Sequence, residues 1–259
     1  MKRKRKIRLG RVIVVLAVLI ALIGFTYILT KPIFDKNTLP SSTATPEVET
    51  PITTPNSTPS PTPTPTPVSL DHTSYDSIYV IINKTHPLPE DYEPTDLVVP
   101  NVKATKDGLT MRKEAAEALE LMFNAAKEEG HTLIFGSGYR SYSTQERLFN
   151  NYVARDGEDA ANRYSARPGQ SEHQTGLAAD IGDGSLANWL KNSFKDTPEG
   201  IWLKENSYKY GFVLRFMDGK EDITGYMFEP WHFRYVGVEE AQKIVDSGLT
   251  LEEFYNFTN

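Results

Sequence analysis

The sequence predicts an α+β fold, in which one domain has a central antiparallel sheet flanked by helices. Helix and strand patterns alternate irregularly over residues 71–259, without the regular strand–helix–strand rhythm of a parallel sheet. No internal repeat divides this stretch, and its length suits one domain with a full core. The first 70 residues differ in composition, and they predict a membrane segment and a linker in front of the domain.

The amino-terminal segment has the features of a membrane anchor. Residues 1–11 are basic, and residues 12–29 carry no charged side chain. A helix of this length can cross a hydrocarbon core of roughly 30 Å, and the basic flank is expected to stay in the cytoplasm. Residues 12–30 are therefore predicted to be a single-pass anchor in the cell membrane, with the rest of the chain exported. A cleaved signal peptide is the alternative, but no small-residue cleavage site follows the apolar run.

Residues 31–70 are predicted to be a disordered extracytoplasmic linker rich in Pro, Thr and Ser. Alternating Thr-Pro pairs favour extended polyproline II and do not form a packed core. Such a spacer could hold the following domain out in a cell wall. The chain contains no cysteine, which excludes disulfides and lipid-modified cysteines without arguing against export.

The predicted domain opens with a strand and a long helix. Residues 79–82 form a short β-branched run that is typical of a strand. Residues 110–129 predict a helix, and Gly130 is placed to end it. The helix carries an apolar stripe at helical spacing. This stripe consists of Ala115, Leu119, Met122 and Ala126.

Two further strands and a helix are predicted in the middle of the domain. Residues 131–140 indicate a buried strand that leads into a loop. Ser143 and Glu146 match a capping box, which predicts the start of the next helix. Residues 177–181 indicate a second core strand.

The last third of the chain contains clear helix boundaries. Thr197 and Pro198 are typical of a cap and a first helical position, and Gly211 is placed to close that segment. The remaining predicted elements are strands at residues 212–216 and 231–236 and a helix at residues 238–247.

Two short stretches carry the strongest chemical signal. Residues 171–180 read SEHQTGLAAD, and residues 229–232 read EPWH. They offer two imidazoles and one carboxylate, the ligand set of a catalytic zinc site that keeps a position open for water. These ligands are His173, Asp180 and His232. Glu229 lies three residues before His232, where it could handle the protons of that water.

Residues 173–180 favour a loop leading into a strand. Gly176 would weaken a helix there, so we expect His173 at the bend and Asp180 on the strand. We expect His232 on a neighbouring strand, and Glu229 just before it, because Pro230 cannot donate to a ladder. Any one of these residues alone would more often be an ordinary surface or core side chain; their combination favours the metal site. No partner pattern accompanies His72, His86 or His131. The core is expected to include Tyr139, Trp231 and Phe233.

The motifs resemble those of the VanY-type D-alanyl-D-alanine carboxypeptidases, zinc peptidases whose fold is shared with the hedgehog amino-terminal domain. The resemblance rests on S-x-H-x-x-G-x-A-x-D at residues 171–180 and E-P-W-H at residues 229–232. G-Y-R-S-x-x-x-Q at residues 138–145 is similar to the upstream element of the family. As a set these motifs are specific, and no functional position departs from the family pattern.

The resemblance implies site roles. One Zn²⁺ per domain is implied, with the three ligands named above. Glu229 is implied to be the general base and then the acid, and Arg140 to polarise the scissile carbonyl or hold substrate charge. A guanidinium suits this role because it stays charged at any relevant pH. Gln145 and Ser171 are similar to residues that contact the terminal carboxylate of the substrate.

The sequence therefore predicts a membrane-anchored zinc carboxypeptidase that removes a C-terminal D-alanine from peptidoglycan stem peptides. Its expected partners are the stem peptide and the membrane, with no nucleic acid and no obligate protein partner. An L,D-carboxypeptidase acting on tetrapeptide stems and an endopeptidase acting within cross-bridges are alternatives. A zinc-bearing wall-binding module without activity is the non-enzyme alternative, and Glu229 argues against it because a structural site does not require a base.

Overall fold

The computed structural model describes residues 70–257. The predicted basic segment, the membrane anchor and nearly all of the linker lie outside the described residues, as do residues 258 and 259. Between residues 70 and 257, no helix combines the length and the apolar character that a membrane span requires.

The described residues contain six strands, which form two antiparallel sheets. The small sheet pairs β1, Leu97–Val98, with β2, Met111–Arg112. The central sheet consists of β3 (Leu133–Ser137), β4 (Ala178–Asp183), β5 (Phe212–Leu214) and β6 (His232–Tyr235). Its strand order is β3–β4–β6–β5. This arrangement confirms the predicted α+β fold with a central antiparallel sheet.

Helices flank the central sheet. In chain order they are α1 (Lys113–Glu128), α2 (Tyr142–Asp156), α3 (Glu158–Tyr164), α4 (Pro198–Asn206), α5 (Glu221–Thr224), α6 (Val238–Ser247) and α7 (Leu251–Phe254). Short 3-10 helices occupy Glu172–Thr175, Asn192–Asp196 and Ser207–Tyr210. Helix α6 has the bounds that its sequence predicts.

Helix α1 provides the largest share of the apolar core beside the sheet. All four residues of the predicted stripe are fully buried, and they share one cluster with Phe135, Ile181 and Phe233 of the sheet. The helix begins at Lys113, later than predicted, because residues 111 and 112 pair with β1 instead. After the helix, Gly130 adopts a positive φ of 89°, as expected for the residue that ends it.

The start of α2 differs from its prediction. The cap is Ser141, whose hydroxyl accepts a hydrogen bond from the Thr144 N–H at 3.3 Å. The predicted capping box of Ser143 and Glu146 is therefore wrong, since Ser143 already lies in the first turn. Three residues after Ser141 the chain has Thr144 and not Glu or Gln, so the capping-box pattern pointed to the later serine.

The start of α4 agrees with its prediction. The Thr197 hydroxyl accepts from the Gly200 N–H at 3.0 Å, and Pro198 occupies the first turn. Gly211 ends the following 3-10 helix with a φ of 82°. A side chain at Gly211 would place its Cβ 2.7 Å from the Tyr235 ring, so the position also lets the chain approach β6 closely.

The strand predicted at residues 79–82 is wrong, although the residues are buried. Val80 is 1% exposed, and the run belongs to no sheet in the described structure. The carbonyls of Ile78 and Val80 accept hydrogen bonds from Nη2 of Arg234 at 3.0 and 2.7 Å. A buried guanidinium thus satisfies backbone groups that the sequence pattern assigned to a ladder.

Truncating the stripe of α1 tests the core. We expect Leu119→Ala to lower the free energy of unfolding by about 2–5 kcal/mol, because it removes a fully buried side chain from the cluster against the sheet. Leu121 on the same helix is 63% exposed and is the control, with an expected change within about 0.5 kcal/mol for Leu121→Ala. Urea unfolding measures both, and equal effects would contradict this assignment of the core.

Candidate metal centre and active-site cleft

The candidate site lies where β4 and β6 pair. Asp180 and His232 are directly opposite each other in the antiparallel register. Asp180 Oδ1 lies 3.1 Å from His232 Nδ1, and both side chains are buried. Residues directly opposite on one sheet face have neighbouring side chains, so this register alone brings the two groups together.

His173 enters the site from the 3-10 helix Glu172–Thr175, which precedes β4. Its Nδ1–H donates to the Gly138 carbonyl at 2.7 Å, and its Nε2 lies 3.2 Å from Asp180 Oδ2. Gly176 ends the 3-10 helix with a φ of 70°, a conformation that favours glycine. The loop-to-strand geometry predicted for His173 and Asp180 is therefore what the chain adopts.

Three side chains form a buried cluster that could hold a metal ion. Ligand atoms of His173, Asp180 and His232 lie within 4.8 Å of one another. The second nitrogen of each ring faces protein, since His173 Nδ1 bonds Gly138 and His232 Nε2 faces Glu172. The remaining nitrogens converge on Asp180, and this donor set suits Zn²⁺ in a site that keeps a position open.

The protonation of this cluster reflects burial and mutual hydrogen bonding in the metal-free protein. Burial lowers the pKa of His173. Burial would also lower the pKa of His232, but hydrogen bonds to Asp180 and Glu172 raise it to about 9. Burial alone would raise the pKa of Asp180, yet the two imidazoles hold it well below its ordinary value. Asp180 is thus a carboxylate throughout the physiological range.

Glu229 lies beside the cluster, in the turn before β6. Its carbonyl accepts from the His232 N–H at 3.1 Å, and its N–H donates to Phe216 at 3.2 Å. This backbone brings Glu229 Oε2 to 3.8 Å from His232 Nδ1. Only 13% of the side chain is exposed, and burial raises the pKa of Glu229 to about 8, with the charge of Asp180 adding to the shift. A carboxyl group with a pKa near neutrality is suited to proton transfer.

Arg140 points at the site from the loop after β3. Its backbone N–H donates to the His173 carbonyl at 3.0 Å. The guanidinium donates to Gln145 Oε1 and Ser137 Oγ, each at 2.8 Å, and lies 3.8 Å from Asp180 Oδ2. These two hydrogen bonds use two of its five N–H groups, so donors remain for an anion in the cleft.

The structure brings Gln145 and Ser171 to the same cleft as the cluster. Gln145 is 1% exposed, and its amide nitrogen donates to the Ala166 carbonyl at 2.6 Å while its oxygen accepts from Arg140. The Gln145 side chain thus links the Ala166 backbone to the Arg140 guanidinium and helps to orient that guanidinium. Ser171 is 5% exposed at the cleft.

The cleft in front of the cluster has a volume of about 580 Å³. Its wall is partly apolar, and the contributing side chains include Leu148, Tyr152, Leu190, Tyr226, Phe228 and Trp231. Trp231 was expected in the core, and it is half-buried with one side packed on the core and the other on the cleft. Phe233 is a core residue, as predicted.

Sequence reasoning missed one group beside the metal ligands. Glu172 is buried, and its Oε2 faces His232 Nε2 at 3.4 Å. Its position next to His173 in the motif was the available signal. Its other partners are Arg215 and Arg234, and Arg215 in turn bonds Glu252. These residues lie far from Glu172 in the sequence, so no local pattern predicts the contacts.

These features define the class: an α+β domain with a His/Asp/His cluster that could hold a metal, next to a buried carboxyl group and a guanidinium in one cleft. Comparison with known proteins places the chain within that class. The family VanY, D-alanyl-D-alanine carboxypeptidase, matches residues 108–238. The chain belongs to this family, which confirms the resemblance of its motifs.

Relatives cover most of the described domain. The Bacillus subtilis (strain 168) protein YodJ is 48% identical over 184 residues, covering 70% of this chain and 67% of YodJ. A D-alanyl-D-alanine carboxypeptidase of Enterococcus faecalis (strain ATCC 700802 / V583) is 33% identical. The match covers 68% of this chain and 65% of the Enterococcus faecalis protein. The bifunctional D-Ala-D-Ala dipeptidase and carboxypeptidase VanXYC of Enterococcus gallinarum is 34% identical, covering 68% of this chain and 93% of VanXYC.

Solved structures share the fold. The LdcB LD-carboxypeptidase superposes with a TM-score of 0.67 at 48% identity, covering 70% of this chain and 87% of that one. A variant of the D,D-pentapeptidase VanY in complex with Zn(II) gives a TM-score of 0.56 at 34% identity, with coverage of 68% and 97%. VanYB in complex with D-alanine-D-alanine gives a TM-score of 0.57 at 33% identity, with coverage of 68% and 96%.

Removing a ligand tests the cluster. We expect His173→Ala and His232→Ala to lose at least about 10²-fold in zinc affinity, because two remaining ligands form an incomplete site. Chelator competition on the purified protein measures this. His131→Ala, which alters a half-buried histidine away from the cluster, is the control and should leave the affinity unchanged. Full zinc stoichiometry and affinity in both cluster variants would refute the site.

The raised pKa of Glu229 predicts a pH-dependent effect on stability. An acid whose pKa is higher in the folded protein destabilises it once the unfolded chain ionises, here from about pH 4.5 up to about pH 8. In metal-free protein, Glu229→Gln should therefore become more stable relative to wild type as pH rises from 4.5 to 7. A relative gain of about 3 kcal/mol follows from ~1.4 kcal/mol per pKa unit over this range.

The control is Glu221, a carboxylate whose pKa is lowered in the folded protein. The hydrogen bond with Arg163 lowers the pKa of Glu221, so the stability that this carboxylate contributes is lost only as pH falls below about 4.5, and the difference between Glu221→Gln and wild type should stay nearly constant from pH 4.5 to 7. Urea unfolding at several pH values measures both variants. A difference between Glu229→Gln and wild type that does not change with pH would contradict the assignment.

Proposed function

We propose that this chain is a zinc-dependent carboxypeptidase that hydrolyses the C-terminal D-Ala-D-Ala bond of peptidoglycan stem peptides. The observation that carries the proposal is the meeting of a metal-binding cluster, Glu229 and Arg140 in one cleft. Membership of the VanY family and the likeness to VanYB, which was solved with D-alanine-D-alanine, support the substrate class.

His173, Asp180 and His232 would hold the zinc, one ion per domain. When bound, zinc supplies a Lewis acid that lowers the pKa of water toward ~7. Glu229 lies within reach of the same space, and it takes a proton from the attacking water and delivers it to the leaving amine. In the loaded site the charge of the cation favours the ionised form of Glu229, the form that can accept this proton.

Arg140 and Ser171 supply the charge recognition that an exopeptidase needs. Arg140 lines the cleft, Gln145 accepts one of its two hydrogen bonds to protein, and three further N–H groups are left for substrate. Ser171 adds a hydroxyl at the same cleft. A guanidinium stabilises either the terminal carboxylate of the substrate or the developing oxyanion.

A second candidate activity is L,D-carboxypeptidase, which would remove D-Ala from a tetrapeptide stem. The observation in its favour is that LdcB, an LD-carboxypeptidase, matches at higher identity and a higher TM-score than the two VanY structures compared above. The chemistry of cluster, base and arginine would be the same. The side of the cleft that contacts the penultimate residue would differ.

The cellular arrangement is also part of the proposal. Residues 1–11 would remain in the cytoplasm, residues 12–30 would anchor the chain in the membrane, and residues 31–70 would link the anchor to the domain at residues 71–259. The basic flank, the uncharged run and the Thr-Pro repeats support this order. It would hold the domain next to the peptidoglycan outside the membrane.

Defined stem peptides test the activity. Purified protein is incubated with tri-, tetra- and pentapeptide stems, and the products are identified by mass. We expect the pentapeptide to lose one D-alanine, and Glu229→Gln to retain zinc while its turnover falls by about 10²-fold or more. Loss of D-alanine from the tetrapeptide alone would replace the first activity with the second.

Amidation of the terminal carboxylate separates exopeptidase from endopeptidase action. The amidated pentapeptide should be cleaved with kcat/KM lower by at least ~10²-fold, because buried donors of the cleft would lose their charged partner. Equal cleavage of acid and amide, or cleavage within a cross-linked dimer, would identify an endopeptidase. If the zinc-loaded protein cleaves none of these peptides, the remaining alternative is a zinc-bearing wall-binding module without activity.

A further inference from the structure

A buried carboxylate lies behind the metal-binding cluster. Glu172 directly precedes His173, yet it points to the opposite side of His232 from Asp180. Its Oε2 lies 3.4 Å from His232 Nε2, while Asp180 Oδ1 lies 3.1 Å from His232 Nδ1. The imidazole of His232 is thus held between two carboxylates, one on each ring nitrogen.

The other oxygen of Glu172 is held by two arginines. Oε1 accepts from Arg215 Nε and from Arg234 Nη1, each at 2.8 Å. Both guanidinium groups are permanently charged and donate to this oxygen, so the contacts favour the ionised carboxylate. Glu172 is therefore a fixed carboxylate, which can only accept hydrogen bonds.

The arginines are themselves fixed. Arg215 donates to both oxygens of Glu252 on α7, at 2.9 and 2.6 Å. Arg234 donates to the carbonyls of Ile78 and Val80. The side chains of Glu172, Arg215, Arg234 and Glu252 are at most 1% exposed, and their formal charges cancel. We call these four residues the buried charge cluster.

The geometry has a specific consequence for His232. If His232 uses Nδ1 to bind a metal, the ring must carry its proton on Nε2. Glu172 provides an acceptor at that nitrogen and no donor, so it favours the metal-binding form of the ring. An acceptor of this kind also fixes the ring plane and makes the other nitrogen a stronger ligand.

We propose that Glu172 is a positioning residue for His232, and that Glu252 acts through Arg215 to hold Glu172 in place. The inference rests on the proposed metal-binding role of His232. It assigns helix α7 a part in the metal site, although the hydrogen bonds of its Glu252 carboxylate go to Arg215 and Asn83. A cluster that served folding alone would require no carboxylate oxygen facing His232 Nε2.

Glu172→Gln is the decisive variant. If the amide oxygen stays with the two arginines, the amide NH₂ faces His232 Nε2, where a second donor opposes the Nε2–H of the metal-binding ring. If the amide is turned round, its NH₂ faces two guanidinium donors instead. Either arrangement disfavours metal binding, and we expect zinc affinity to fall by roughly 10–100-fold.

Zinc affinity is measured by chelator competition on the full purified protein. Coordination geometry is followed by the visible absorption bands of the cobalt-substituted protein. Glu253→Gln is the matched control, because Glu253 neighbours Glu252 on α7 but pairs with the half-exposed Lys220. We expect Glu172→Gln to shift the cobalt bands, Glu252→Gln to weaken zinc binding by at least roughly threefold, and Glu253→Gln to change neither.

Unchanged zinc affinity and unchanged cobalt bands in a folded Glu172→Gln protein would overturn the inference. If Glu172→Gln does not fold, Glu252→Gln decides, and a zinc affinity equal to that of the control would equally overturn it. The proposed function fails differently. In that case the wild-type protein binds no zinc, or the zinc-loaded wild-type protein cleaves no stem peptide, whereas failure of this inference alone leaves wild-type and variant proteins binding zinc equally well.

Discussion

The antiparallel pairing of β4 with β6 is the constraint on which the site depends. It sets Asp180 opposite His232. Because β4 begins shortly after the 3-10 turn that carries His173, the paired strands also hold that turn next to the site. Side chains alternate between the two faces of a strand, so a slip of one residue would turn Asp180 to the other side of the sheet. The apolar residues on β4 and β6 that pack on α1 prevent such a slip, since it would move them out of the core. The packing of the core and the geometry of the cluster are thus fixed by one register.

Electrostatics at the site follow from burial in two ways. In front of the cluster, Glu229 lies 3.8 Å from His232 Nδ1, and burial raises its pKa to about 8. Behind the cluster, Glu172 is buried even more deeply, yet two guanidinium groups keep it ionised. The same residue type therefore has a pKa suited to proton transfer on one side of His232 and is a permanent acceptor on the other. Removing one member of a buried ion pair leaves an uncompensated charge, so the cluster behaves as a unit.

Much of this architecture could be predicted from local sequence signals. Helix α6 and the cap of α4 followed from spacing and from Thr197 and Pro198, which act within a single turn. The placement of Asp180, His232 and Glu229 followed from motif spacing and from the effect of Pro230 on a ladder. Local signals failed where the deciding partner is distant in sequence. Residues 79–82 look like a strand because they are buried, and only the position of Arg234 shows why they need no ladder.

The buried charge cluster illustrates the same limit at the site itself. Glu172 and His173 are neighbours in the chain, and the 3-10 turn directs one behind His232 and the other toward Asp180. The pattern of apolar residues does not predict that two neighbouring side chains point to different sides of His232. The two arginine partners of Glu172 lie 43 and 62 residues away in the sequence.

The division of the site into a fixed part and a variable part has a consequence for specificity. The cluster, Glu229 and the buried charges are held by paired strands and by fully buried side chains. The wall of the cleft is different, since Leu190 and Phe228 lie on connecting segments outside the described strands. Substitutions there alter the shape of the cleft without moving a metal ligand. A D,D- and an L,D-carboxypeptidase can therefore share the same cluster, base and arginine, and differ in the loops that contact the penultimate residue of the peptide.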